Sequence, residues 1–254
     1  KALYLTGLDD AISLATQMGI KGLNDKNRLG FTLVLGGGEV SLLDLTSAYG
    51  VFATEGIQNT TTGILKVTKK DGTTLEEYKG KGERVITENT ARIISSILSD
   101  AQARVPAFAL SSPLNYSDRD VAAKTGTTQN YRDVWTVGYT PSLVIGLWGG
   151  NNDNTPMIKK TSGYILAPLW RTAMDIGLAS TTEVESFNPY VVATSTDEIK
   201  PILRGEWCTT TTEGTPLVHD ILHWVQKRDP LGPYPSSPEN DPQYSHWEYP
   251  VQAW

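Results

Sequence analysis

Residues 120–141 read DVAAKTGTTQNYRDVWTVGYTP and continue at 142–150 as SLVIGLWGG. Three strand-forming runs, 120–128, 133–140 and 142–150, follow one another with only a few residues between them. Parallel neighbours need a crossover of a dozen or more residues, so connections this short demand an antiparallel arrangement. The third run is apolar almost throughout, which predicts cover on both faces. Downstream, APLWRTAMDIGLA at 167–179 predicts a helix with Pro168 in its first turn, where a missing N–H costs nothing.

Upstream of this core, two short helices are expected in KALYLT at 1–6 and DDAISLATQMGI at 9–20, with Asp9 as a cap. FTLVLGGG at 31–38 reads as a brief apolar strand. At 41–56, Ser41 suits an N-cap, Asp44 sits three residues on as in a capping box, and Gly56 closes the helix. Leu42, Leu45, Ala48, Tyr49 and Phe52 then share one face. Asp71-Gly72 between two β-prone runs predicts a hairpin. TENTARIISSILSDAQ at 87–102 predicts a helix capped by Thr87, with Ile94, Ile97 and Leu98 inward, followed by a loop at 108–119. Beyond about residue 180 the composition changes. Residues 184–207 read as loop and strand, and PLVHDILHWVQKRD at 216–229 as a short amphipathic helix. The final stretch, 229–254, holds six of the 14 prolines and favours extended chain.

The chain has 254 residues, 39% hydrophobic and 20% charged, which is enough for a substantial folded core. A net charge of −6 argues against an electrostatic grip on nucleic acid. The one cysteine, Cys208, permits no intrachain disulfide. No apolar run is long enough to span a bilayer, and no signal peptide is recognisable. The chain opens without methionine, so it reads as part of something longer, with any membrane anchor outside it.

Chemistry concentrates at AAKTGTTQ, 122–129. Lys124 offers a compact positive charge, Thr125 and Thr127 two hydroxyls, and Gly126 a stretch of bare backbone. On a strand, period two places both threonines on one side, where they could grip a carboxylate together. An exposed N–H of such a strand is also an oxyanion donor, worth roughly 3 kcal/mol in acyl transfer. The residue types alone leave open a plain alternative, a polar strand end with a turn glycine. A phosphate-binding loop is excluded, because Ala123 stands where glycine must precede the lysine.

AAKTGTTQNYRDVWTVGYTPSLVIGLWGGNND resembles the lysine-threonine-glycine motif and following strands of penicillin-binding proteins. EVSLLDLTSAYGVFATEGI and GLDDAISLATQMGI resemble helices of the class A, bifunctional members, in family order. The resemblance spans about residues 1–178. It implies an α/β fold of the penicillin-binding and serine β-lactamase type, an antiparallel sheet sandwiched between helices, of which this chain supplies the C-terminal portion. Residues 1–180 would belong to that transpeptidase domain, and 181–254 to a C-terminal extension with a Pro/Trp-rich tail.

The same resemblance implies roles. Lys124 would face the cleft and help manage the proton of the family's Ser-x-Asn serine. Thr125 and Thr127 would bind the terminal carboxylate of D-alanyl-D-alanine or of a β-lactam. The Thr127 amide would be one oxyanion donor, Gly126 would keep the strand edge open, and Thr128, Gln129 and Tyr131 would line the rim. The implied reaction is peptidoglycan D,D-transpeptidation through an acyl-serine, without metal or organic cofactor. It would take place on the extracytoplasmic face of the bacterial cell membrane, in a parent that also carries a glycosyltransferase. The rival readings are a D,D-carboxypeptidase or β-lactamase relative, and a non-catalytic peptidoglycan-binding module.

The nucleophile of that chemistry, the serine of Ser-x-x-Lys, has no match: no serine here has lysine three positions on. It is therefore expected upstream of Lys1, and the chain alone is expected to be inactive. Ser186-Phe187-Asn188 fits Ser-x-Asn in letters, but its setting, EVESFNPY, reads as a loop. His219 and His223 are spaced as a helical pair, yet lack a third ligand, so no metal is expected. Trp135 and Trp148 are expected to pack in the core or a cleft wall. The glycosylation-like Asn59-Thr60-Thr61 and Asn115-Tyr116-Ser117 carry no meaning in a bacterial protein.

Overall fold

The computed structural model of the protein describes residues 2–23, 25–180, 183–191, 205–210 and 216–221, with 236, 237 and 240. Thr6–Val191 form one compact unit; Lys1–Leu5 with Val192–Trp254 form another.

In chain order the elements begin with helices α1 (Ala2–Thr6), α2 (Leu8–Gln17) and α3 (Lys26–Leu29), a 3-10 turn at Gly30–Leu35, and α4 (Leu42–Ala53). Strands β1 (Ile57–Gln58), β2 (Lys66–Thr68), β3 (Thr74–Glu77) and β4 (Glu83–Arg84) come next. After them come α5 (Glu88–Ser99), α6 (Ala101–Phe108), and the strands β5 (Ala122–Thr127), β6 (Asp133–Tyr139) and β7 (Val144–Gly150). The first unit closes with α7 (Ser162–Ile165) and α8 (Ala167–Leu178). In the other unit, β8 (Gly205–Thr210) pairs antiparallel with β9 (Pro216–Ile221).

The sheet β5-β6-β7 is antiparallel throughout, as its short connections require. Alternation splits its residues between two cores. Ala123 on β5 and Leu143, Ile145 and Leu147 at β7 join Trp170, Met174 and Leu178 of α8. One step along, Ala122, Tyr139 and Val144 turn the other way and meet Tyr49, Phe52 and Ala53 of α4 and Leu98 of α5. Helices thus cover both faces. Two glycines make the approach close: a Cβ on Gly138 would strike the Trp170 ring, and one on Gly146 would strike Thr46 of α4.

Local signals hold where the chain decides them locally. Ser41 Oγ accepts from the Asp44 amide, Thr87 Oγ1 accepts from the Thr90 amide, and Pro168 sits in the first turn of α8. The Gly56 amide closes α4 on the Val51 carbonyl at 2.7 Å. The Asp71-Gly72 hairpin forms between β2 and β3, with Asp71 Oδ1 accepting from the Thr73 amide.

Four expectations are corrected. Residues 31–35 form a 3-10 turn, not a strand: Leu29 and Leu33 both pack with Ile12 and Leu23 in one small cluster, whereas an extended chain would hold them about 13 Å apart. The cap of α2 is Gly7, and Asp9 lies inside its first turn. On α5 the buried stripe is Ala91 and Ser95, with Leu98 beside it, and Ile97 is 63% exposed. The small pair lets α5 lie close to the sheet, where Ser95 and Tyr139 share a 3.1 Å hydrogen bond. Residues 216–221 are a strand rather than the start of a helix, because pairing with 205–210 supplies backbone partners that a short isolated helix could not match. His219 therefore lies on β9, while His223 and all of the proline-rich tail but residues 236, 237 and 240 lie outside the described residues.

Candidate active site

Strand β5 is an edge strand among the described residues. Ala122 and Ala123, buried on opposite faces, fix it in the sheet, and the polar residues follow from that anchor. Lys124 stands opposite Val137, Thr125 opposite Thr136, Gly126 opposite Trp135 and Thr127 opposite Val134. The Thr128 amide donates to the Asp133 carbonyl at 3.0 Å. Hydrogen-bonded pairs alternate along an antiparallel ladder. Gly126 and Lys124 therefore direct their N–H and C=O groups at β6, while Thr125 and Thr127 direct theirs at the open edge.

That edge presents the Thr127 N–H as a donor aimed away from the sheet. It also presents the Thr125 carbonyl, against which the exposed Lys124 ammonium rests at 2.6 Å. The side chains divide by face. Thr125 and Thr127 share the α7–α8 side, as period two demands, and Lys124 and Gly126 share the α4–α5 side. The three polar groups converge only at the edge itself, where a ligand lying along the strand would meet backbone and side chains together. Gly126 is roomy: an added Cβ would come no closer than 3.5 Å to Trp135 Cβ.

Thr127 Oγ1 accepts a 3.0 Å hydrogen bond from the Ser162 amide at the start of α7. A hydroxyl has one proton, and this contact uses an oxygen lone pair, so the Thr127 proton stays available for an incoming acceptor. Thr128 is committed differently. Its hydroxyl donates to Asp133 Oδ2 at 3.1 Å and accepts from the Asp133 amide at 2.8 Å. Asp133 Oδ1 also takes the Trp148 indole N–H at 3.0 Å, so one carboxylate ties the β5–β6 turn to β7. Trp135 and Trp148 face each other across β6 and β7, with Trp148 37% exposed. At the rim, Asn130 and Tyr131 both adopt left-handed backbone, and the Met157 amide steadies them by donating to the Tyr131 carbonyl at 2.9 Å.

Sequence reading missed Ser162 and Asp133. Asp133 stood five residues from the threonine it binds, within reach of a turn argument. Ser162 is 35 residues from Thr127, and nothing in SGYI distinguishes it.

Ser186-Phe187-Asn188 packs at the Ala122–Tyr139 end of the sheet and serves as a strap. Phe187 packs edge-on against Tyr139 with ring centroids 5.5 Å apart, and its amide donates to Asp120 Oδ2 at 3.2 Å. Asn188 Nδ2 donates to Glu55 Oε1 at 2.7 Å, on the carboxylate that Arg92 holds with Nε at 2.8 Å and Nη2 at 3.0 Å. These hydrogen bonds, Arg92 first, hold the Glu55 carboxyl below the usual carboxylate range. A cavity of about 110 Å³ sits under the strap, lined by Phe52, Glu55, Arg92 and Phe187 among others. Its charges are already paired, and it lies at the Ala122–Tyr139 end of the sheet, so the chemistry is assigned to the β5 edge instead. Among the described residues no three potential metal ligands gather.

Comparison with known proteins bears on the family and the fold. Residues 6–175 match the penicillin binding protein transpeptidase domain. The chain is 30% identical over 212 residues to penicillin-binding protein 1A of Aquifex aeolicus, covering 81% of this chain and 27% of that protein. It is 32% identical over 169 residues to penicillin-binding protein 1A of Mycolicibacterium smegmatis, covering 61% and 21% respectively. The chain thus spans about a quarter of the length of these bacterial relatives. The solved structure of PonA1 from Mycobacterium tuberculosis in complex with penicillin V superposes with a TM-score of 0.62 at 27% identity, covering 72% of this chain and 53% of that one.

Proposed function

The chain belongs to the penicillin-binding protein transpeptidase domain family, and from that premise we propose that the β5 edge is the anion-holding half of an acyl-transfer site completed by the rest of a longer protein. The observation that carries this is the Thr127 pair of donors. Its amide points off the edge of the sheet, and its hydroxyl has its acceptor side filled and its proton free.

In the reaction, a serine oxygen supplied from outside these residues adds to the carbonyl of a terminal D-alanyl-D-alanine. The Thr127 N–H stabilises the oxyanion as the C–O bond forms. Thr125 and Thr127 hold the terminal carboxylate, with Lys124 supplying the countercharge. Collapse expels D-alanine, and an amine of a neighbouring peptide then takes the acyl group, regenerating the serine. A β-lactam with its own carboxylate would enter by the same route, and the similar PonA1 was solved in complex with penicillin V. Peptidoglycan is the substrate, and the extracytoplasmic face of the bacterial membrane is the place. No cofactor takes part. Residues 1–180 form the C-terminal part of the transpeptidase domain and 181–254 an extension.

The test uses the full-length parent and fluorescent penicillin. Thr127→Val keeps shape and backbone amide but removes a hydrogen bond to a charged acceptor, contributing about 1.5–3 kcal/mol, so acylation should slow about ten- to a hundredfold. Lys124→Ala should slow it more, because the anion then enters without a countercharge. Against a carboxyl-amidated analogue the wild type should already be slow and Thr127→Val little slower. Folded variants that acylate at the wild-type rate would overturn the assignment.

A further inference from the structure

We propose that Ser162 is a positioning residue for the acyl-transfer site, acting through the Thr127 hydroxyl; this rests on the function proposed above. Ser162 and Thr136 are both fully buried, at 0% exposure, directly behind the threonine face of β5. Ser162 Oγ lies 2.5 Å from the Trp135 carbonyl and 2.8 Å from Thr136 Oγ1. A carbonyl can only accept, so the Ser162 hydroxyl spends its one proton on Trp135. The Thr136 hydroxyl must then be the donor in the second contact. Every proton in this small chain has one place to go, and Ser162 is locked to the central strand from two directions.

The lock matters because of what the Ser162 backbone does. Its N–H, 3.0 Å from Thr127 Oγ1, occupies the acceptor side of that hydroxyl. An unrestrained threonine hydroxyl rotates among three staggered directions and can turn its proton back to a backbone carbonyl. With the Ser162 amide in place the oxygen is held as acceptor on its inner side, and the proton is turned outward. Sequence-local contacts do none of this: among the described residues Thr127 is tied to β6 only through its strand register, and Thr125, opposite Thr136, has no comparable tie. Ser162 therefore sets the direction in which the site donates to a substrate carboxylate, without touching the substrate.

The experiment is a double-mutant cycle in the full-length parent, measuring the acylation rate constant and the pre-acylation affinity for a penicillin separately. Ser162→Ala removes the anchor to Trp135 and leaves the backbone amide in place but loosely held. The expected loss is about three- to tenfold in acylation by a carboxylate-bearing penicillin, the range of one misdirected hydrogen bond. In a Thr127→Val background the same substitution should cost almost nothing, and against the carboxyl-amidated analogue it should again cost almost nothing. A merely structural role would slow acylation equally in all three settings, and that result overturns the inference. Should Ser162→Ala fail to fold, Thr136→Val removes the second anchor with little change of shape and should show the same dependence on Thr127. If Thr127→Val slows acylation but Ser162→Ala is not coupled to it, the positioning role falls and the clamp survives. If Thr127→Val itself has no effect, both fall.

Discussion

Gly138 shows how far single residues govern this fold. It lies at the middle strand of the sheet, where the Trp170 ring of α8 rests on bare backbone. The indole N–H is also committed, donating to the Ile145 carbonyl at 3.0 Å, so the ring cannot retreat without breaking that bond. Gly138→Ala should destabilise the unit by about 1–3 kcal/mol, as overpacked cores do. The check is a lower urea midpoint with an unchanged m-value. At this scale the sequence was legible at several positions where a side chain acts on its own neighbourhood: Ser41, Thr87 and Pro168 stand where capping and N-terminal rules put them, although Gly7 and not Asp9 caps α2. Lys124, Thr125, Gly126 and Thr127 could be picked out as a constellation, since their spacing along one strand is itself sequence information. Ser162 and Gly138 could not, because what they touch is brought from elsewhere by folding.

Among elements, α5 is the instructive case. Its apolar residues suggest a face containing Ile94 and Ile97, yet it packs through Ala91 and Ser95. Small residues permit the close approach that the Ser95–Tyr139 hydrogen bond needs, and burial holds the Tyr139 hydroxyl proton on, raising its pKa. Packing distance outweighed hydrophobic count. The same competition explains the two misread segments. Residues 30–35 turn helical because Leu29 and Leu33 find one pocket, and 216–221 extend because 205–210 offers a ladder. By contrast β5, β6 and β7 were legible from loop length alone. Since α5 starts at a cap whose hydroxyl meets the Thr90 amide at 3.2 Å, Thr87→Ala should cost about 1 kcal/mol. Amide hydrogen exchange should quicken most in its first turn, and a uniform increase along the helix would contradict the capping account.

On the scale of the whole unit, Glu55 is the junction. It follows α4 in left-handed backbone, and its carboxylate joins Arg92 on α5 to Asn188 on the strap. Folding lowers the pKa of Glu55, so its contribution is complete above the ordinary carboxylate range and fades as the pH drops toward the folded value. Glu55→Gln should therefore destabilise at neutral pH and narrow its deficit against wild type under acid, read from melting temperatures across pH 3–7. A constant deficit would show that ionisation is irrelevant. The strap itself ends in a grip: the Val191 amide donates to Asn89 Oδ1 at 2.6 Å, and Asn89 Nδ2 returns a bond to the Val191 carbonyl at 2.9 Å. One side-chain amide thus imitates a neighbouring strand for a single residue. In mechanical terms it is a strain relief. A tug on the chain beyond Val191 is taken up first by Asn89 and next by Asn188 on Glu55, well before it can lever α8 off the sheet whose edge carries Thr127.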